Sequence, residues 1–139
     1  RQPVVRIDDV ALFYAVFDAR IKRLTYCNAG HPAPLLLRDG RIIELASDNM
    51  VLGVNPDEPY KQSLVDLRSG DQLLIYTDGA TDAMNYKNEP FGKERLIEAF
   101  RETGHSAEII AQHVLWQLRK FAGISKRTDD VTMIAARVL

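Results

Sequence analysis

Short apolar runs rich in β-branched and aromatic residues fill the first half of the chain, and this pattern predicts β-strands. In one run Leu24, Tyr26 and Asn28 share a parity, so they are expected on one face of a strand. Asp39-Gly40 lies between two apolar runs and predicts a tight hairpin, because both central residues of a type I′ turn need a positive φ. The predicted strands are residues 10–17, 21–27, 35–37, 41–45, 63–67 and 72–77.

The last third of the chain changes to helical periodicity. Leu96, Ile97 and Phe100 share one face of a predicted helix over 93–102. A second helix is predicted from Ser106, a good N-cap, to residue 121, with Gly123 as its stop. Residues 131–139 form a final predicted strand. The predicted fold class is therefore α+β, with mainly antiparallel sheets and flanking helices.

Composition and charge exclude several classes of protein from the expected ones. The 139 residues are 46% hydrophobic and 27% charged, as expected for a single globular domain. Eighteen basic and 19 acidic side chains leave a net charge of −1, which gives no electrostatic reason to expect nucleic acid. Cys27 is the only cysteine, so no internal disulfide or cysteine zinc cluster is expected. No apolar run approaches a membrane span and no secretory signal is evident, so we expect a cytoplasmic chain without a membrane segment.

Acidic residues flank two of the predicted strands. Asp78 directly follows the strand over 72–77, and Asp129 and Asp130 directly precede the strand over 131–139. If these strands pair antiparallel, Asp78 and Asp129 point into one space, within about 10 Å, where oxygen ligands suit Mg²⁺ or Mn²⁺. The alternative is that all three are ordinary turn residues. From spacing alone, both interpretations stay open.

Two further residues have alternative interpretations. Asp82 lies one helical turn beyond Asp78 if a helix begins there, so it either reaches the same cation or lies on a solvated face. His31 lies in a loop rich in Gly and Pro. It is either an acid or a ligand, or a loop histidine that hydrogen-bonds the backbone.

Four segments in order resemble one known family. They are residues 24–34 (LTYCNAGHPAP), 70–85 (GDQLLIYTDGATDAMN), 91–96 (FGKERL) and 128–132 (TDDVT). Together they resemble the bacterial SpoIIE-type branch of the metal-dependent serine/threonine protein phosphatases. The resemblance runs from about residue 10 to residue 139.

The resemblance implies a fold, a cofactor and a set of ligands. The fold is two stacked, mainly antiparallel sheets with flanking helices. The cofactor is a pair of Mn²⁺ or Mg²⁺ ions, and water activated by them hydrolyses phosphoserine or phosphothreonine. The family's metal ligands fall on Asp78 and Asp129, and Asp82 and Asp130 fall where a weaker metal is expected. The motif residues Asn28, Gly30, His31 and Gly79 are expected to shape the loops, with no catalytic role for His31.

One family motif is missing from this sequence. D-x-S-G-H-G, whose Asp bridges both metals in the family, does not occur. We therefore expect a single domain over 1–139 that lacks its N-terminal third, binds metal weakly and has little activity. Its exposed edge strand at 10–17 is expected to promote self-association.

Two functions from different classes follow. The first is a phosphatase acting on a bacterial signalling phosphoprotein, such as an anti-sigma-factor antagonist. The alternative is a non-catalytic, phosphatase-like module that binds proteins.

Overall fold

The computed structural model describes residues 10–46, 49–104, 106–123 and 130–139. Within these ranges it contains seven strands and three helices. The strands are β1 (Leu12–Asp18), β2 (Arg23–Ala29), β3 (Leu35–Arg38), β4 (Arg41–Glu44), β5 (Ser63–Asp66), β6 (Gln72–Tyr76) and β7 (Met133–Arg137). The helices are α1 (Asp78–Thr81), α2 (Gly92–Arg101) and α3 (Ala107–Ala122). Antiparallel sheets with a few helices confirm the predicted fold class.

The first of two compact units comprises the described parts of residues 1–33 and 46–67. Its three strands are all antiparallel, in the order β1-β2-β5. Leu24, Tyr26 and Asn28 are buried on one face of β2, as their parity predicts. The ring of Phe13 on β1 stacks on Tyr26 with centroids 5.6 Å apart, so the buried face continues onto the edge strand.

Strand β1 lies at an edge of this sheet and leaves much of its apolar surface exposed. Leu12, Tyr14 and Val16 share the face opposite Phe13, and Tyr14 is 62% exposed. Leu64 on β5 is exposed on the same face, since it pairs with Thr25 and Thr25 pairs with Val16. This is the strand for which the sequence predicts exposure.

The second unit comprises residues 34–45 and the described part of 68–139. Its strands are antiparallel in the order β4-β3-β6-β7. Asp39 and Gly40 both have positive φ, 49° and 76°, as the predicted β3–β4 hairpin requires. Leu35, Leu74 and Tyr76 face α2 and α3 in one hydrophobic core with Phe100 and Val114.

The two long helices begin and end where local chemistry predicts. The Ser106 hydroxyl accepts the Ile109 N–H at 3.2 Å and caps α3, and Gly123 with φ +61° ends that helix. Arg95 of α2 covers the Phe121 ring of α3 at 4.5 Å from its centroid, which joins the helices. No helix in the described ranges is both long and apolar enough to cross a membrane.

A buried ion pair holds the start of β6. Asp71 is 2% exposed, and its carboxylate accepts hydrogen bonds from the Nε–H and Nη2–H groups of Arg38 and from the Arg68 amide N–H. Burial alone raises the pKa of Asp71, but these hydrogen bonds outweigh it and hold the pKa below its usual 3.8. The ionised form is therefore the one that the fold stabilises.

Replacing Asp71→Asn is expected to lower the free energy of unfolding at pH 7 by about 3–5 kcal/mol, because the half-buried Arg38 loses its countercharge. Since the folded pKa is depressed, the contribution of the pair is present above pH 4 and is lost as the pH falls below it. Urea unfolding at pH 7 and pH 3 should show the gap between the two proteins closing at the lower pH. Asp66→Asn, which breaks the exposed pair with Arg23, is the matched control and should cost much less. Equal losses in the two variants would contradict this account.

Candidate metal centre

The strands that carry the candidate acids are neighbours. β6 pairs with β7 antiparallel, with Tyr76 opposite Met133. The ladder continues one step further, because the Thr77 N–H donates to the Thr132 carbonyl at 3.1 Å. The residue that follows β6 therefore lies opposite the residue that precedes β7. The two strands thus meet the condition of antiparallel pairing under which Asp78 and Asp129 are expected to share one space.

Asp78 lies at this junction and begins α1. Its carbonyl accepts the Asp82 N–H at 2.8 Å and the Thr81 hydroxyl at 3.2 Å, which closes the single turn. Gly79 and Ala80 are buried under that turn, while the carboxylates of Asp78 and Asp82 are exposed. The short helix therefore buries its small residues and directs acidic ones to solvent at the end of β6.

The second acidic position is described in part. Asp130 is exposed and lies two residues before Thr132. Asp129 lies outside the described residues, so its carboxylate is not located relative to Asp78. Within the described ranges, no group of three or more His, Cys, Asp or Glu side chains is arranged to hold a metal ion. The donors that are present fit a hard cation in type, since all are carboxylates, but they are too few to complete a site.

Acidic side chains near this junction affect the pKa of Tyr76, the last residue of β6. Burial raises the pKa of the Tyr76 hydroxyl, and the negative charges of Glu44 and Asp78 raise it further. Tyr76 is 4% exposed and belongs to the core. Tyr76 therefore lies near enough to Asp78 for its pKa to respond to that carboxylate.

The motif loop at 28–31 is built on backbone hydrogen bonds. Asn28 is 2% exposed, and its Oδ1 accepts the His31 N–H at 2.9 Å. His31 Nδ1 donates to the Pro32 carbonyl at 2.8 Å, and its ring lies 6.2 Å from that of Phe13. His31 therefore adopts the backbone-bonding arrangement, the second of its two interpretations.

Asn49 is a residue that the sequence analysis does not single out. Its Nδ2 donates to the carbonyls of Asn28 and Lys61, and its Oδ1 accepts the Lys61 N–H at 2.8 Å. It therefore ties the motif loop to a segment far along the chain. Its partners are 21 and 12 residues away, so no local pattern could have revealed it.

Comparisons with known proteins find similar sequences. A family model described as Stage II sporulation protein E (SpoIIE) matches residues 8–139. Protein IcfG from Synechocystis sp. is 33% identical over 125 residues, covering 89% of this chain and 20% of that protein. The phosphoserine phosphatase RsbU of Bacillus subtilis is 27% identical over 132 residues, covering 92% of this chain and 38% of RsbU. The chain thus spans well under half of these two relatives.

Solved structures share the fold. The SiaA-PP2C domain of Pseudomonas aeruginosa matches with a TM-score of 0.78 at 22% identity, over 91% of this chain and 51% of that one. The SpoIIE phosphatase domain of Bacillus subtilis, in a Mn-presoaked crystal, matches with a TM-score of 0.70 at 16% identity, over 93% and 56% of the two chains. RsbX in complex with magnesium matches with a TM-score of 0.67 at 16% identity, over 94% and 57%. The chain spans about half of each of these structures.

The close packing of Val51 against Gly30 leads to a prediction about stability. Gly30 has φ +71°, and a Cβ added there would overlap Cγ1 of Val51. Gly40 has φ +76° with open space around it, so it is a matched control for backbone strain alone. Gly40→Ala should cost about 1–2 kcal/mol, and Gly30→Ala should add about 1–3 kcal/mol of overlap to a similar strain. Urea unfolding of both variants checks this, and equal costs would contradict the close approach of Val51.

Proposed function

Because this chain belongs to the SpoIIE family of PP2C-type phosphatase domains, we propose that it forms part of a metal-dependent serine/threonine phosphatase. The proposed substrate is phosphoserine or phosphothreonine on a bacterial signalling protein, such as an anti-sigma-factor antagonist. The name of RsbU, a phosphoserine phosphatase, supports the choice of residue type. The proposed cofactor is Mn²⁺ or Mg²⁺, supported by the Mn-presoaked SpoIIE and magnesium-bound RsbX structures.

The observation that carries this proposal is the antiparallel pairing of β6 with β7. It brings Thr77, which directly precedes Asp78, opposite Thr132. Asp129 and Asp130 precede Thr132 in the sequence. We assign Asp78 and Asp129 as metal ligands and Asp82 and Asp130 as ligands of a weaker metal. Gly79 follows the first ligand and is buried, so it lets the chain turn closely over the core.

The residues of the chain have distinct duties in this mechanism. Two bound cations would supply a more acidic water molecule and positive charge for the phosphoryl oxygens. Asp78 and Asp129 would hold those cations at the end of the β6–β7 pair. The resemblance gives His31 no catalytic role and we assign it none; its Nδ1 donates to the Pro32 carbonyl.

The activity of the 139 residues by themselves is proposed to be low. The sequence contains no D-x-S-G-H-G, and the described ranges bring together no three acidic or histidine ligands. The bridging carboxylate is therefore missing from the ligand set that we assign. We propose that the 139 residues are one domain lacking its N-terminal third, and that a longer chain contributes this carboxylate.

The activity prediction compares two lengths of chain. The 139 residues should show little or no Mn²⁺-dependent hydrolysis of an aryl phosphate, while a natural chain extended upstream through D-x-S-G-H-G should be active. In the longer chain Asp78→Asn and Asp129→Asn should abolish activity, because each removes an anionic ligand. Asp39→Asn is the control, since this exposed carboxylate lies in the β3–β4 turn and asparagine tolerates its φ of 49°. Robust turnover by the 139 residues would contradict the assigned ligand set.

Protein binding without catalysis is the second candidate function. The observation that favours it is the apolar, exposed surface of the edge strand β1. Unpaired strand edges recruit other chains by edge pairing. The same surface supports self-association as a property of this chain.

Self-association can be measured directly. Light scattering should give a mass that rises above the monomer with concentration, and the interface that covers β1 should exceed about 1,000 Å². Val16→Lys should reduce association, because a charge on an edge strand opposes pairing. Ile21→Lys is the matched control, since Ile21 is similarly exposed but lies in the turn after β1. A monomer at every concentration would rule out self-association.

A further inference from the structure

We infer that the hydroxyl of Thr77 is a positioning group that holds Asp78 in place for cation binding. The inference rests on the proposed function, because it assigns Thr77 a duty toward the same site. Thr77 is not itself a metal ligand in this account. It acts on the backbone that carries Asp78.

The carbonyl of Thr77 accepts its hydrogen bond from α1 and not from the neighbouring segment. In the hydrogen-bonded type of antiparallel residue pair, each N–H donates to the carbonyl opposite. The Thr77 N–H does so, reaching the Thr132 carbonyl at 3.1 Å. The Thr77 carbonyl instead accepts the Ala80 N–H at 3.0 Å, which starts α1. The Thr132 N–H is thereby deprived of its usual backbone acceptor.

The Thr77 hydroxyl takes the place of that carbonyl. Its Oγ1 accepts the Thr132 N–H at 3.1 Å and lies 3.4 Å from the Thr132 carbonyl oxygen, to which it donates. A threonine directly before a helix normally accepts an N–H from the first helical turn. Thr77 has the extended backbone of that position, φ −98° and ψ 163°, yet makes no side-chain bond to α1. The hydroxyl is committed to the neighbouring segment.

This exchange lets β6 turn into α1 while the ladder stays closed. The turn begins at Asp78, so the direction of that carboxylate depends on the Thr77 backbone remaining fixed to Thr132. The segment that contains Asp130 is fixed by the same hydrogen bonds. Hydrogen-bonding partners of this kind orient metal ligands without touching the metal. A side chain of the same shape without a hydroxyl removes the protein acceptor of the Thr132 N–H and releases that N–H to solvent.

The test uses the natural full-length protein with Mn²⁺ as the probe. Thr77→Val should weaken Mn²⁺ binding by about 10–100-fold, as losses of supporting hydrogen bonds around metal ligands do. Thr77→Ser should restore the affinity, because serine keeps the hydroxyl. Thr103→Val is the matched control: it removes a buried hydroxyl that donates to the Phe100 carbonyl at 2.7 Å in the same unit. It should lower stability without changing Mn²⁺ affinity, which calorimetry measures for each variant.

A second readout needs no metal. Hydrogen exchange of the metal-free protein, followed by mass spectrometry, should show faster exchange over 130–134 in Thr77→Val and an unchanged rate in Thr77→Ser and Thr103→Val. Unchanged exchange in Thr77→Val would overturn the inference. Equal Mn²⁺ affinity of Thr77→Val and the unsubstituted protein would also overturn it and leave the proposed function standing. Absence of Mn²⁺ binding by the unsubstituted protein would overturn the proposed function and, with it, the positioning role.

Discussion

The pairing of β6 with β7 is the constraint on which the candidate site depends. β6 is a central strand, hydrogen-bonded to β3 on one side and to β7 on the other. Tyr76, at its end, is anchored in the core, so the following residues leave the sheet from a fixed point. Because the partner strand runs antiparallel, Asp78 after β6 and Asp130 before β7 flank the same end of the pair. Thr77 and Thr132, 55 positions apart, thus face each other through a backbone register.

The carboxylates at the two ends of β6 differ in burial and in their hydrogen-bonding partners. At its start, Asp71 is buried and its charge is balanced by Arg38 and by a backbone N–H, so this carboxylate serves stability. At its end, Asp78 is exposed, and its charge adds to that of Glu44 in raising the pKa of Tyr76. A carboxylate balanced by an arginine gains little from a cation. Within the described residues no ion pair balances Asp78, so its carboxylate gains more. The difference favours Asp78 over Asp71 as a ligand.

Much of the fold could be predicted from local patterns. Apolar runs rich in β-branched and aromatic residues predict the strands, Asp39-Gly40 predicts the hairpin, and Ser106 and Gly123 predict the ends of α3, because each depends on a few neighbouring residues. Strand bounds shifted by one or two residues, as with β7, which begins at Met133. The role of Asn49 could not be predicted, since its hydrogen bonds join segments that only the fold brings together. The position of Asp129 lies outside the described residues, so the shared space of the two principal acids stays a prediction.

The threonines of the T-D-G and D-D-V-T segments have a structural role that the motifs by themselves do not indicate. From the sequence, the acids attract attention because their chemistry is known, and Thr77 and Thr132 look like ordinary strand residues. In the structure they face each other, and the Thr77 hydroxyl supplies the acceptor that the turning backbone removes. When a strand turns into a helix directly after a ladder residue, its carbonyl leaves the ladder, and such a hydroxyl keeps the neighbouring N–H bonded within the protein. The position of Thr77 directly before Asp78 therefore has a structural reason. The hydrogen bond from the Thr132 N–H to the Thr77 hydroxyl closes the sheet at the residue after which α1 begins with Asp78.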